Sequence, residues 1–384
     1  MNNLLRSVAL TCCLTSPAFA VQPLFETTPS ETTEKLDDIL AIFGAEEEYD
    51  PSKGIDSSYI PALFYTPEQG FGVGVLYVGL YGDTHQGTTQ PSSMVINPYI
   101  STNGSKGITL ENRHFFAGDQ NRFYLDFELF DDAGVYYGVG HEAGSVDQNR
   151  INYSEQVALL EPTLLTKVGN DFYLGLGANI TYAKASDFEL EDNQSSLERA
   201  SDLQKNTSYG AKVSAVFDSR DNVLNASEGV LFDVTAGYYH SSLTDDWFGK
   251  YDFELANYIT LNTLPGLIAW QIQGDFTSGD VPWNRLPDIG GANGLRGHVE
   301  GRYRDNHMAM GQVEYRLPIF WRLGAVFWGG VGSVAPEINQ LNDELLTSVG
   351  TGLRFKIKDK VNVRADIGIG NDETAFYFHV NEVF

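Results

Sequence analysis

The residues best equipped for chemistry are guanidinium groups in an acidic chain. The stretch GGANGLRGHVEGRYRDN, residues 290–306, sets Arg296, Arg302 and Arg304 among the glycines Gly290, Gly291, Gly294, Gly297 and Gly301. The whole chain carries a formal net charge of −26. A guanidinium is a planar fork that suits paired contacts with carboxylates, and Gly297 lets the backbone turn tightly beside Arg296. Covalent chemistry is poorly supplied. The 7 histidines stand apart at positions 85, 114, 141, 240, 298, 307 and 379. A serine nucleophile needs a base within hydrogen-bond reach, and His379, which shares strand parity with Tyr377 and Asn381, has no serine or acid beside it in sequence. Metal-ligand spacings, phosphate-cradling glycine loops and nucleophile elbows do not occur. The residues therefore point to no enzyme, no cofactor and no metal.

The N-terminus reads as an export signal. Arg6 supplies a basic start, SVALTCCLT (7–15) a short apolar run, and AFA (18–20) a small-x-small cleavage site, so residues 1–20 are expected to be a Sec signal peptide. Both cysteines, Cys12 and Cys13, fall inside it, and neither follows a convincing lipobox. A mature chain starting at Val21 would then hold no disulfide and no thiolate metal site. No later apolar run is long enough for a transmembrane helix. The mean hydropathy of −0.22 leaves a membrane β-barrel open, because such strands are apolar only at alternate positions. The 23 Phe, 20 Tyr and 39 Gly suit β structure with aromatic girdles. The acidic balance argues against a nucleic-acid partner.

The elements that would position the arginines come in two kinds. In residues 21–58, EKLDDILAIF (34–43) places Leu36, Ile39, Leu40 and Phe43 on one helical stripe. The acids Glu46, Glu47 and Glu48 and the pair Asp50-Pro51 end it. So short a helix is not stable alone; it must dock on a barrel lumen, a membrane interface or a partner. From residue 59 the period becomes two. In VNVRADIGIG (361–370), Val361, Val363, Ala365, Ile367 and Ile369 oppose Asn362, Arg364, Asp366, Gly368 and Gly370. LIAWQIQGDF (267–276) and TSVGTGLRFKI (347–357) repeat the pattern. A soluble sandwich would also alternate. Long regular strands persisting to the last residue instead favour a wall between lipid and water. Sixteen spans, from 60–66 to 374–384, predict an all-β, transmembrane antiparallel barrel over residues 59–384. Short connections such as 264–266 and 358–360 alternate with long ones such as 186–207 and 280–306, the arrangement of periplasmic turns and external loops.

Several motifs carry a family resemblance. The C-terminal FYFHVNEVF, with Phe376, Phe378, Val380 and Phe384 on one face, resembles the signal read by the barrel-assembly machinery; Glu382 stands where an apolar residue is usual. The tetrad Leu295, Arg296, Gly297, His298 resembles the [V/I]RG[F/Y] motif of the BamA/TamA superfamily, the bacterial surface-antigen barrels. FDSRDNVLNASEGVLFDV (217–234), GQVEYRLPI (311–319), VRADIGIG (363–370), YYGVG (136–140) and PALFYTPEQGFGVG (61–74) are similar to further motifs of that family, in its order. The resemblance implies that the sixth external loop folds into the barrel and that its arginine pairs with acids on the inner wall. Parity puts Glu314, Arg316, Arg364 and Asp366 on the lumen face, so Asp366 and Glu314 are the expected partners of Arg296. The family's Phe-x-Asp-x-Gly strand reads here as Trp328, Gly330 and Gly332, with Gly330 in place of the acid, and His298 replaces the usual aromatic. Residues 21–58 are too few for a POTRA domain, so the chain resembles members without one. The resemblance implies a gated barrel in the bacterial outer membrane, moving a polypeptide or lipid through a weak seam between first and last strands. Its partners would be outer-membrane lipid, the assembly machinery and the cargo. The first strand, expected at 60–66 and beginning beside Pro61, would pair only briefly. The alternative is a passive channel whose lumen charges set selectivity, or a structural surface antigen.

Overall fold

The computed structural model describes residues 23–25, 30–46, 48–66, 69–82, 90–189, 198–358, 360–371 and 373–384. The expected signal peptide lies outside the described residues. A helix, α1 (Glu31–Ile42), precedes sixteen strands. These are β1 (Ile55–Thr66), β2 (Gly70–Tyr81), β3 (Ser92–Ser101), β4 (Lys106–Phe115), β5 (Asn121–Tyr136), β6 (Ile151–Gly169), β7 (Phe172–Glu189) and β8 (Asn206–Asp218). They continue as β9 (Gly229–Ser241), β10 (Asp246–Thr260), β11 (Leu267–Ser278), β12 (His307–Phe320), β13 (Leu323–Ala335), β14 (Leu346–Lys358), β15 (Val361–Ile369) and β16 (Thr374–Val380). Each strand pairs with its sequence neighbours in one antiparallel sheet, which curls into a barrel. A second short helix, α2 (His141–Gly144), lies between β5 and β6.

Period two sets which face meets lipid. Val349 and Leu353 of β14, Ile369 of β15 and Ile272 of β11 are exposed outward, while Ser348, Arg354, Gln271 and Asp366 are buried on the inner side. In a bilayer the outward set meets hydrocarbon, where only a sheet with paired backbone can stand.

The two ends of the sheet do not meet edge to edge. Among the described residues no ladder joins β1 to β16. Instead the ends overlap. Ile60 of β1 and Leu76, Val78 and Leu80 of β2 share a cluster with Phe355, Ile357, Val361, Val363 and Val380. The first set is on the opposite face from the exposed Val73 and Val75; the second shares parity with the exposed Leu353, Ile369 and Phe376. The inner face of β1–β2 thus packs on the outer face of β14–β16. One ion pair ties the overlap, Asp56 to Lys358 at 2.6 Å, with both side chains about fully buried. Just after α1, the Phe43 carbonyl accepts from Tyr59 N–H at 2.8 Å, the Gly44 carbonyl accepts from Ser58 Oγ at 2.7 Å, and Ala45 is buried in the cluster.

Three expectations change. The first strand begins at Ile55, not at residue 60. Residues 55–59 look too polar for a strand because Asp56 and Ser58 face inward to partners rather than to lipid. Pro61 therefore sits within β1, on the edge where its missing N–H breaks no ladder. The last strand ends at Val380, and Asn381 takes φ +60°, which turns the tail into the lumen. Phe376 faces lipid, Val380 lies under the overlap, and Phe384 packs inside the barrel against a cluster that includes Tyr258 and Leu231. Glu382 explains the turn: outward it would meet hydrocarbon, whereas inward it reaches Arg354 at 2.8 Å and Asn362 at 3.0 Å. The third concerns α1, capped by Ser30 and Thr33. Asp37 ties it to Arg322 at 2.7 Å and to the Trp321 indole N–H at 3.1 Å, in the turn after β12. Of its stripe only Leu40 packs on the overlap; Leu36, Ile39 and Phe43 stay 40%, 51% and 40% exposed.

A sharp prediction arises at the tie. Lys358→Met leaves the buried Asp56 carboxylate with the Asp50 N–H at 2.9 Å and the half-exposed Lys53 at 3.6 Å, so the loss is expected to stay below the about 3–5 kcal/mol of a fully stranded buried charge. The double variant Asp56→Asn with Lys358→Met removes both charges and is expected to recover most of the loss. Heat-modifiable gel mobility of the single and double variants checks this; equal melting of both would exclude a tie by charge.

Candidate functional site

The loop 279–306 leaves β11 at the end that carries the long loops and returns into the barrel. Its apolar side is seated first. Ile289, Leu295 and Tyr303 pack with Met308, Met310, Val334 and Leu346 of the wall. Two glycines of β13 make the seat. A Cβ on Gly330 would lie 2.8 Å from Leu295 Cδ1, and one on Gly332 would lie 2.5 Å from Ile289 Cδ1. The position that lacks the expected acid is therefore the floor under Leu295.

Arg296 is fully buried. Its Nη1 donates to Asp366 Oδ2 at 2.9 Å. Its Nη2 donates to Glu314 and to Gln312 Oε1 at 3.3 Å. The guanidinium lies 3.8 Å over the Trp328 ring, a cation–π contact strengthened by exclusion of water. Trp328 lies flat because Gly350 beneath it has no side chain; a Cβ there would stand 2.1 Å from the ring. The two carboxylates are shared further. Asp366 also pairs with Arg364 at 3.0 Å and with Arg354. Glu314 pairs with Arg316 at 2.8 Å. Arg364 reaches back to the loop, donating to the Ala292 carbonyl at 3.0 Å and Asn293 Oδ1 at 2.7 Å. Arg316 also donates to the main-chain oxygen of Phe384, the last residue of the sequence, at 3.0 Å. The cluster holds four guanidiniums, of Arg296, Arg316, Arg354 and Arg364, against three carboxylates, of Glu314, Asp366 and Glu382. Every sequence-predicted wall residue, Asp366, Glu314, Arg364 and Arg316, lies in it.

The backbone of the motif is held as well. Gly297 has φ +111°, and a Cβ there would lie 2.7 Å from Gly370 N. Its N–H donates to the Tyr377 hydroxyl at 2.9 Å, which donates on to the His298 carbonyl at 3.2 Å. Ser348 Oγ donates to the Arg296 carbonyl. The His298 ring meets Tyr303 edge-on at 5.8 Å and its Nε2 lies 3.0 Å from the Thr347 carbonyl. Histidine thus fills an aromatic's place and adds a polar contact.

The other two arginines of the stretch reach other walls. Arg302 donates to the Gly144 carbonyl and to Asp147, each at 2.8 Å, and pairs with Glu373. Burial works against its charge, yet the Glu373 carboxylate holds its pKa above the ordinary value. Arg304 donates to the Trp283 carbonyl at 3.1 Å. The loop is therefore tied to the β5–β6 loop, to the β15–β16 loop and to the inner wall.

Sequence reasoning missed several partners. Arg354, Gln312 and Tyr377 are ordinary inward positions until the loop is seated, and Glu382 showed only as an acid where an apolar residue is usual. The turn 219–228 belongs to a motif the sequence shows, but its partners are not legible there. Val223 N–H donates to Gln90 Oε1 at 2.9 Å, Lys360 reaches Asp221 at 2.7 Å, and Leu224 packs on the overlap cluster. This turn crosses the floor of the barrel. Within the motif, Asp218 pairs with Arg122 at 2.7 Å and Arg220 at 2.8 Å. Between floor and loop remains a cavity of about 650 Å³, lined by Glu111, Arg113, Asp126, Glu128, Asp233 and Glu254 among others.

The family model described as the Omp85 superfamily domain matches residues 96–384. Among solved structures the chain is similar to BamA from Haemophilus ducreyi lacking POTRA domains 1–3, with a TM-score of 0.52 and 13% identity over 85% of this chain and 70% of that one. A match to OccK11 (OpdR) of Pseudomonas aeruginosa has a TM-score of 0.34 and 10% identity over 88% and 98% of the two chains. No curated protein matches the sequence.

Proposed function

The chain belongs to the Omp85 superfamily, and on that premise we propose that it is a gated barrel that passes a polypeptide or a lipid into the bacterial outer membrane through the overlap of its sheet ends. One observation carries the reading. The barrel is completed by apolar packing and the Asp56–Lys358 pair rather than by a β1–β16 ladder. Parting a ladder of strands strips each residue of a backbone hydrogen bond in a medium without water. Parting an apolar overlap inside a bilayer exchanges side-chain contacts for lipid contacts, at far lower cost. The residues 43–45 cap the free edge of β1, and α1 beside it leaves Leu36, Ile39 and Phe43 exposed, an apolar side suited to an interface helix at the gate. Outer-membrane lipid and the barrel-assembly machinery that folds the chain are the partners of this reading. It invokes no covalent step.

The rival, a passive channel, predicts a conducting lumen. The seated loop and the turn 219–228 favour a closed one. In planar bilayers the purified barrel is expected to stay closed, and Arg296→Ala to produce openings as the loop lifts. Large, steady conductance of the unaltered protein would overturn the gated reading in favour of the channel.

A further inference from the structure

The membrane-facing wall contains a feature that neither loop nor gate uses. Across β2–β7 the outer surface bends inward into a trough of about 850 Å³. Its floor is one row of outward side chains. Pro98 opposes Ile108, Ile108 opposes Leu129, Leu129 opposes Ala158, and Ala158 opposes Tyr182. Val75 lies across from Pro98, but no pair joins them: the β2–β3 ladder runs from Gly74–Tyr99 to Tyr77–Ile96 with nothing between. Proline has no N–H to give, so the wall opens there, and the small side chains of Pro98 and Ala158 leave the hollow unfilled.

Two residues further along β4 to β7, roughly 7 Å toward the long loops, the outward face turns polar, while Val73 and Ile100 keep it apolar on β2 and β3. Lys106 opposes Asp131, Asp131 opposes Gln156, and Gln156 opposes Lys184. Gln156 donates to Asp131 at 3.2 Å, and the Lys106 ammonium lies 3.9 Å from the same carboxylate, with two-thirds of its side chain exposed. On a lipid-facing wall an apolar row ending in lysines marks the level where acyl chains give way to head groups. A concave apolar floor thus lies below a polar row whose two lysines outnumber its one carboxylate, Asp131, and that matches a lipid with an anionic head group.

We propose that this trough is a binding site for one phosphorylated, acylated lipid, with an acyl chain along Pro98, Ile108, Leu129 and Ala158 and the phosphate between Lys106 and Lys184. A phospholipid and lipid A share that chemistry. Native mass spectrometry of the full chain tests the site, using delipidated protein mixed in detergent with phosphatidylglycerol, lipid A or diacylglycerol. The unaltered protein is expected to hold one phosphorylated lipid after collisional activation has stripped the rest, and diacylglycerol is not retained. Retention of phosphatidylglycerol or of lipid A identifies which source supplies the site. Ala158→Trp, which fills the hollow, is expected to abolish retention. Should that variant fail to fold by heat-modifiable mobility, Lys106→Ala with Lys184→Ala decides. It leaves the floor intact and is expected to weaken phosphorylated-lipid binding on the order of tenfold, as two exposed ion pairs allow. A broad distribution of lipids with no preferred single adduct, or retention unchanged in these variants, would overturn the proposal.

Discussion

Replacing Asp366 with alanine is expected to lower the thermal midpoint of the barrel more than replacing Arg296. Intuition favours the loop arginine, but the geometry reverses the order. Asp366 faces Arg296, Arg354 and Arg364 at once. Without it, four guanidiniums keep two acidic side chains, Glu314 and Glu382, in a buried site, and an uncompensated buried charge costs about 3–5 kcal/mol. Arg296→Ala leaves Asp366 with Arg354 and Arg364 and leaves Glu314 with Arg316. Its loss is that of the Trp328 stack and several hydrogen bonds, roughly 2 kcal/mol. Heat-modifiable mobility of the two variants in one detergent measures the difference. A smaller shift for Asp366→Ala than for Arg296→Ala would mean that the carboxylate is not the hub of the cluster.

Gly297→Val is expected to unseat the loop without touching a charge. The residue has φ +111°, a region that costs a β-branched side chain about 1–3 kcal/mol. Its Cβ would also lie 2.7 Å from Gly370 N and 2.8 Å from Ile369 C. These are backbone atoms of the wall strand and cannot step aside. From the wall side, Gly368→Val makes the same collision, since its Cβ would lie 2.7 Å from Gly297 N. Limited trypsin digestion of the folded barrel reads the outcome. Arg296 is inaccessible in the seated loop, so the unaltered protein is expected to resist cleavage there while both variants are cut. Protection of Arg296 in Gly297→Val would show that the loop seats without the close backbone contact.

Much of this was legible in the strands near the C-terminus, where lipid on one side and water or charge on the other enforce period two. Parity alone placed Glu314, Arg316, Arg364 and Asp366 on one inner wall. It could not say that Arg354 joins them, because a polar inward residue reads alike whether it faces water or a seated loop. Gly330 read as a missing acid, yet its lack of a side chain is what admits Leu295. The overlap of the sheet ends had a signal in GFGVGVLYVGLY, residues 70–81. Phe71, Val73 and Val75 are apolar outward, and Leu76, Val78 and Leu80 are apolar inward. A barrel strand apolar on both faces needs a cover inside. The inward tail was written in Glu382, whose charge has no place on a lipid-facing strand. Neither could be resolved before the third dimension supplied the partners, β14–β16 in one case and Arg354 in the other.

Cargo is expected to leave the barrel through the overlap of its sheet ends. Ile60 and Val380, one from each sheet end, both pack on the overlap cluster. With Cys12 and Cys13 as serine, a cysteine at each of 60 and 380 can be bridged by a short, reducible bis-methanethiosulfonate linker. The bridged protein is then compared with the reduced one in proteoliposomes. Two activities are followed, insertion of an unfolded outer-membrane barrel polypeptide and movement of a fluorescent phospholipid between leaflets. The reduced protein is expected to support at least one, bridging to abolish it, and reductant to restore it. Activity unchanged by the bridge, or absent from the reduced protein in both assays, would rule out the overlap as the exit.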